Sequence, residues 1–290
     1  MDFKIVERQL AELSKRDCDI KEIELLVRSF FSRMPIPIVT ITPPFLCRAR
    51  INKEGEIFNH KGQLSYNPDT SSIPLQRGNY EGQQVFYGAI PTNQSRHDIS
   101  HCQNTAMLET IWEHVTDINI DRQYLTLSRW PIKRPLNVCM LGFAPESREK
   151  NEDFKRAAEF HTGLLHKAGM DNIDAFLEGL EYISSLFCKK DDKKSCYRIS
   201  AAYFNFIQEV FRVNNQPFDG LVYASANTGA AGMNIVLKKD VIDDGSLELD
   251  RVIMTAMQRD PGNPKHIIFP PASDEQTPDS DGRFHFKHIW

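Results

Sequence analysis

Four side chains and one loop carry most of the chemistry open to this chain. Arg48 and Arg50 alternate with apolar residues in Phe45-Leu46-Cys47-Arg48-Ala49-Arg50-Ile51. A guanidinium in such a strand-like run either makes a structural ion pair or grips a phosphate or carboxylate bidentately. Tyr87 closes the apolar run Val85-Phe86-Tyr87, where packing with the hydroxyl at an edge is the ordinary role. Glu109 stands in Ala106-Met107-Leu108-Glu109-Thr110-Ile111-Trp112. It lies either on the exposed face of a helix or in a pocket, where a fixed carboxylate stabilises developing positive charge. The loop is Ser225-Ala226-Asn227-Thr228-Gly229-Ala230-Ala231-Gly232. It is a plain turn, or a place where backbone and hydroxyl approach a ligand closely. No histidine base stands beside Ser225 in sequence, so a nucleophilic serine is not expected.

Other chemistries find no motif. There is no Gly-x-x-x-x-Gly-Lys loop, no Gly-x-Gly-x-x-Gly and no Gly-x-Ser-x-Gly elbow in the sequence. His97, His101 and Cys102 cluster at a helix start but lack an acidic or third histidine partner at motif spacing, and no metal site is expected. The net charge of −4 offers no broad basic field for nucleic acid. The six cysteines include no Cys-x-x-Cys pair and read as reduced thiols, with Cys188 and Cys196 able to approach across a charged run. No basic-then-apolar leader or bilayer-length apolar stretch is present, so a soluble, cytoplasmic protein is expected.

The positioning elements follow from periodicity. Apolar residues at helical spacing predict two helices over residues 2–33, with Asp19 capping the second. The four prolines between Met34 and Pro44 predict an extended connector. A strand follows at 45–51, a long irregular stretch at 52–83 and a short strand at 85–90. A helix is predicted at 99–115, with Asp98 or Ser100 as its cap, and strands at 124–127 and 136–140. Three helical patterns fill about 150–168, 173–188 and 197–213, and the run Lys189–Lys194 reads as a solvated loop. Strands at 221–223 and 235–237 flank the small-residue loop. Residues 249–257 fit strand or helix, 261–282 read as mobile loop, and 283–290 alternate like an edge strand. Strands early and late, with helices grouped between them, predict an α+β class.

The order of these segments resembles the RES family, named for its Arg, Glu and Ser. The matching stretches are Leu46-Cys47-Arg48; Gln76-Arg77-Gly78-Asn79-Tyr80-Glu81-Gly82 followed by Val85-Phe86-Tyr87; Ala106-Met107-Leu108-Glu109; and Asp219-Gly220-Leu221-Val222-Tyr223-Ala224-Ser225 followed by Gly232-Met233-Asn234-Ile235-Val236-Leu237. The second stretch departs from the family pattern, with Gln76 where it has glycine and Gly78 where it has an aromatic residue. The resemblance covers roughly residues 45–115 and 215–240.

It implies a RES domain similar to the ADP-ribosyltransferase fold, spanning 45–290, with an added N-terminal helical segment at 1–34 and a helical insertion at about 145–213. It implies a bacterial toxin of a toxin–antitoxin system that cleaves the nicotinamide–ribose bond of NAD, with water or phosphate as acceptor. NAD is then a substrate, phosphate a possible co-substrate, and no resident cofactor or metal is implied. Arg48, Tyr87, Glu109 and Ser225 would form the catalytic set, and Arg50, Arg77, Asn79 and Asn227 would contact substrate. Arg48 would hold phosphates, Tyr87 would stack on nicotinamide or bond a ribose, and Glu109 would stabilise the oxocarbenium-like charge. The implied partner is a helix-turn-helix antitoxin, and the extra helices leave room for a homodimer. Transfer of ADP-ribose to a macromolecule and an inactive RES-like binding domain are the alternatives.

Overall fold

A computed structural model describes residues 3–16, 19–189 and 195–290. In chain order the elements are α1 (Phe3–Lys15), α2 (Ile20–Phe31), β1 (Ile38–Ile41), β2 (Phe45–Ile51), α3 (Lys61–Leu64), β3 (Val85–Ile90), α4 (Ile99–Thr116), β4 (Arg122–Pro131), β5 (Leu136–Leu141), α5 (Pro145–Lys150), α6 (Glu152–Lys167), α7 (Ile173–Cys188), α8 (Ser195–Val213), β6 (Gly220–Ala224), β7 (Met233–Lys238), α9 (Lys239–Asp243), β8 (Arg251–Asp260) and β9 (Asn263–Ile268). Pairing is mostly antiparallel, and the class is α+β as expected. No described helix is long and apolar enough to cross a membrane.

The chain divides into two compact units, each made of three segments. The first draws on residues 1–41, 67–85 and 135–238. Its strands run in the order β1-β5-β6-β7, and β5–β6 is the parallel pair. The crossover between β5 and β6 holds α5 to α8, as a parallel connection requires. Helix α2 starts where the Asp19 carboxylate accepts the Lys21 amide at 3.1 Å. It buries Ile23, Val27, Phe30 and Phe31. Phe31 meets Tyr203 of α8 edge-on, with centroids 4.9 Å apart. Helices α1 and α2 therefore share a core with α7 and α8, so the division crosses the expected boundary between segment 1–34 and a domain at 45–290.

Two local expectations change in this unit. The proline-rich connector contains a strand, because Pro35, Pro37, Pro43 and Pro44 flank Ile38–Ile41 and remove no amide from its ladder with β5. Cys188 does not pair with Cys196. Neither is in a disulfide, and Cys188 Sγ lies 3.2 Å from Ser147 Oγ. Cys18 and most of the expected charged loop, residues 190–194, lie outside the described residues.

The second unit draws on residues 42–66, 86–134 and 239–290. Its strands run β3-β2-β4-β8-β9, all antiparallel, and α4 packs over β2 and β4. The ambiguous stretch at 249–257 belongs to a strand, β8. The expected mobile loop at 261–282 contains β9, and the chain beyond it is bonded to β8: Ala272 donates to Met254 O and Gln276 to Val252 O, both at 2.8 Å. Residues 283–290 form isolated bridges, His60 with Arg283 and Ser273 with Ile289, and no edge strand. The reason is local. Asp274 accepts the amides of Lys287 and His288 at 3.0 Å, and Asp279 accepts those of Asp281 and Arg283 at 2.9 and 2.8 Å. Each carboxylate bends the chain away from a ladder.

Candidate functional site

Strand alternation assigns the second unit's residues to faces. Cys47 pairs with Ala89 across β2 and β3, and Ala49 pairs with Leu127 across β2 and β4. Phe45, Cys47, Ala49, Ala89 and Leu127 pack with Cys102, Ala106, Met107 and Ile111 of α4 in one core cluster. Tyr87, two residues before Ala89, shares that face. Arg48 and Arg50 point to the other. There the Arg48 guanidinium lies 4.8 Å from the Phe86 ring centroid and that of Arg50 5.8 Å from Phe58.

Helix α4 lies directly on the strand backbones because the residues between are small. Cys102 Sγ donates to Ala89 O at 3.1 Å, and Thr110 Oγ1 is 3.4 Å from Ala49 O. Burial pushes the Cys102 thiol well up, so it stays protonated as a donor. Both helix ends are fixed. Asp98 accepts the Ser100 amide at 2.9 Å. At the far end Arg259 of β8 donates to the carbonyls of Val115 at 2.8 Å, Asp117 at 2.9 Å, His114 at 3.2 Å and Ile120 at 2.9 Å. These are the orphan carbonyls of the last turn and the chain just beyond it, and a cation there also opposes the helix dipole. Glu109, half-buried, precedes Thr110 on this clamped helix. Tyr87, on β3 of the same unit, is also half-buried.

The expected set is therefore only partly assembled. Strand alternation puts Tyr87 on the face opposite Arg48 and Arg50, and Glu109 lies on α4. The Arg48 side chain reaches the neighbouring strand: Nη1 donates to Tyr87 O at 2.5 Å. Among the described residues its Nε is buried without a hydrogen-bond partner and no carboxylate contacts it. Burial, then the neighbouring Arg50 charge, push Arg48 down to about 9. At neutral pH it remains a cation, and its hydrogen bond holds β3 at Tyr87. Arg50 donates to Gln63 O and so ties β2 to α3. We expect Arg48→Met to lower unfolding free energy by about 1–3 kcal/mol, the range for losing a charged donor to a carbonyl. Guanidinium melts of the two proteins check it. An unchanged midpoint would remove the positioning role.

Ser225, Asn227, Arg77 and Asn79 belong to the first unit. The run before Ser225 is built for close strand pairing. Asp219, buried, accepts the Asn137 amide at 2.8 Å, while its own amide donates to Asn137 O at 2.8 Å. Gly220 follows, where a Cβ would stand 2.1 Å from Val236 O. Tyr223 packs on Phe187 with centroids 5.0 Å apart. Ser225 is 0% exposed. Its Oγ accepts the Thr228 amide at 3.2 Å, its O accepts from Ala230 N at 2.9 Å, and Thr228 Oγ1 accepts from Gly232 N at 2.9 Å. Gly229 and Ala230 take the left-handed region, φ 62° and 69°, that closes the loop. Ser225 thus shapes the turn through its hydroxyl, and half-buried Asn227 sits within it.

Asn79 is 1% exposed and donates from Nδ2 to Pro74 O at 2.9 Å and Tyr80 O at 2.7 Å. Its amide shapes its own loop. Arg77 donates to Lys189 O at 2.8 Å and lies 4.8 Å from the Tyr197 ring centroid. Sequence reasoning missed Arg259, whose partners lie about 140 positions away and leave no local signal. No known family model matches the chain, and no curated protein matches it.

Proposed function

We propose that the chain cleaves the bond between nicotinamide and ribose in NAD, with water or phosphate as acceptor, and acts as a toxin restrained by a helix-turn-helix antitoxin. The observation that carries the chemistry is a pair of half-buried groups in one compact unit, Glu109 on α4 and Tyr87 on β3. Cleavage leaves positive, oxocarbenium-like charge on the ribose. A carboxylate held in place stabilises that charge without reorganising during the reaction. Glu109 is held so: Asp98 and Arg259 fix its helix at both ends. Tyr87 offers a ring for the nicotinamide and a hydroxyl for a ribose. Arg48 acts through Tyr87 as a positioning residue.

Purified protein incubated with NAD tests the reading. Nicotinamide should appear, together with ADP-ribose, or with ADP-ribose 1-phosphate when phosphate is present. Labelled NAD that instead leaves its ADP-ribose on protein or nucleic acid moves the reading to macromolecular transfer. No nicotinamide at high enzyme concentration, with or without phosphate or a lysate, ends it. Co-purification with the product of a neighbouring helix-turn-helix reading frame tests the antitoxin separately.

A further inference from the structure

The face of the second unit's sheet opposite α4 holds a cavity that NAD cleavage does not use. Its volume is about 490 Å³, within the range of small-molecule sites. All of its lining residues belong to the second unit. Tyr124 and the buried Met254 give it an apolar floor. Ile57 and Ile289 stand at its sides, 50% and 45% exposed. The walls are fixed in advance. Asn52, buried, donates from Nδ2 to Glu56 O at 3.1 Å and accepts from Thr126 Oγ1 at 2.9 Å. The Lys53 amide donates to the Glu56 carboxylate, and the Glu56 amide to Lys53 O, both at 2.9 Å. Gly55, at φ 72°, completes this turn. On the other side the Trp290 amide donates to Ala272 O at 2.9 Å and so holds Ile289 in place.

The lining also carries charge. Two cations, Lys53 and Arg122, stand with two carboxylates, Glu54 and Glu56. Glu56 has local company, in the Lys53 amide and the charge of Arg50. Arg122 is different. Its guanidinium lies over the Tyr124 ring, 4.8 Å from the centroid, and among the described residues it makes no hydrogen bond or ion pair. The ring gives the planar fork a fixed seat, and its N–H groups stay available.

We propose that this cavity binds a small carboxylic acid with an apolar or aromatic body. The carboxylate accepts two N–H bonds from the Arg122 fork, the geometry in which a guanidinium grips such a head most firmly. The body packs on Met254 between Ile57 and Ile289, taking apolar surface out of water on both sides. The charge count selects the head. The two cations of the lining are balanced by its two carboxylates, so one added negative charge is met at Arg122. The dianion of a phosphate ester would bring a second charge up against Glu54 and Glu56. A cationic head would meet Arg122 and Lys53 first.

The site is separate from NAD cleavage, and its test contains no NAD. Fluorine NMR titration of fluorophenylacetate with the full chain is the measurement. A ligand of this size should bind with a Kd of about 0.1–1 mM. Fluorophenylacetamide keeps the shape and loses the charge, and it should bind at least about tenfold more weakly, as for a lost charge-assisted hydrogen bond. Fluorophenyl phosphate should also bind more weakly than the acid. Arg122→Met should weaken the acid by about tenfold or more. Its thermal midpoint should stay at the wild-type value, because Arg122 is exposed and bonds to no described residue. Ile57→Asp, on the far wall, should weaken the acid too, which a bare surface arginine acting alone would not show. No binding up to about 10 mM, well above the expected Kd, would overturn the proposal. So would an amide or phosphate ester as tight as the acid, or either variant with an unchanged Kd.

Discussion

Glu109→Gln is expected to lower nicotinamide release from NAD by about a hundred- to a thousandfold, the loss that follows removal of one preorganised electrostatic stabiliser. Glutamine keeps the shape and removes the charge, so the change reports on charge alone. Helix α4 should stay in place. Its seat depends on Cys102, Ala106, Met107 and Ile111 against the sheet, and on Asp98 and Arg259 at its ends. The thermal midpoint should therefore move little, and the loss should fall on kcat more than on KM, because the charge it meets develops in the transition state. Single-turnover rates for the two proteins under saturating NAD are the comparison. A glutamine variant within about threefold of wild type, far short of the range for such a group, would remove Glu109 from the reacting carbon.

The largest expected effect on stability is at Gly220. Its Cβ position is occupied by backbone: Val236 O at 2.1 Å and Leu237 Cα at 3.0 Å. A flexible side chain could move aside, but these atoms belong to β7, which pairs with β6 residue by residue from Gly220 with Leu237 to Ala224 with Met233. Gly220→Ala must open that ladder or displace the strand. The preceding residue gives no freedom, since Asp219 is clamped to Asn137 on the β5 side. Overpacking of this kind, against backbone, should cost about 3 kcal/mol or more. Denaturant melts, or failure to recover folded protein, would register it. A midpoint equal to wild type would mean that the strands part easily here.

The elements were mostly legible because their signals are local. The stripes of α1, α2, α6, α7 and α8, the caps at Asp19 and Asp98, and the strand pair around the Ser225 loop all follow from residues within a few positions of each other. The candidate site was less legible because faces are set by register. Arg48 and Tyr87 are both strand residues, and nothing nearby in sequence says whether they point the same way. The pairing of Cys47 with Ala89 decides it: it sets Arg48 with Phe86 and turns Tyr87 to the other face. Burial was similarly hidden. Ser225 and Asn79 look like polar loop residues available to a ligand, yet both are enclosed and hydrogen-bonded to their own loops. The strand at 38–41 was masked by the prolines around it, and the C-terminal segment by carboxylates that turn an alternating pattern into bends.

The three-segment make-up of each unit also governs how the chain can be synthesised and folded. The first unit needs residues 1–41, but its central strands β6 and β7 lie at 220–238. The second needs 42–66, but β8 and β9 lie at 251–268. Helix pairs such as α1 with α2 can form as the chain leaves the ribosome, whereas neither sheet can be completed until its last segment has been made. Such long-range closure is slow, and it leaves apolar strands such as β5 and β2 waiting for partners. A premature stop near position 240 would deprive the second unit of two strands and leave β4 without its partner β8.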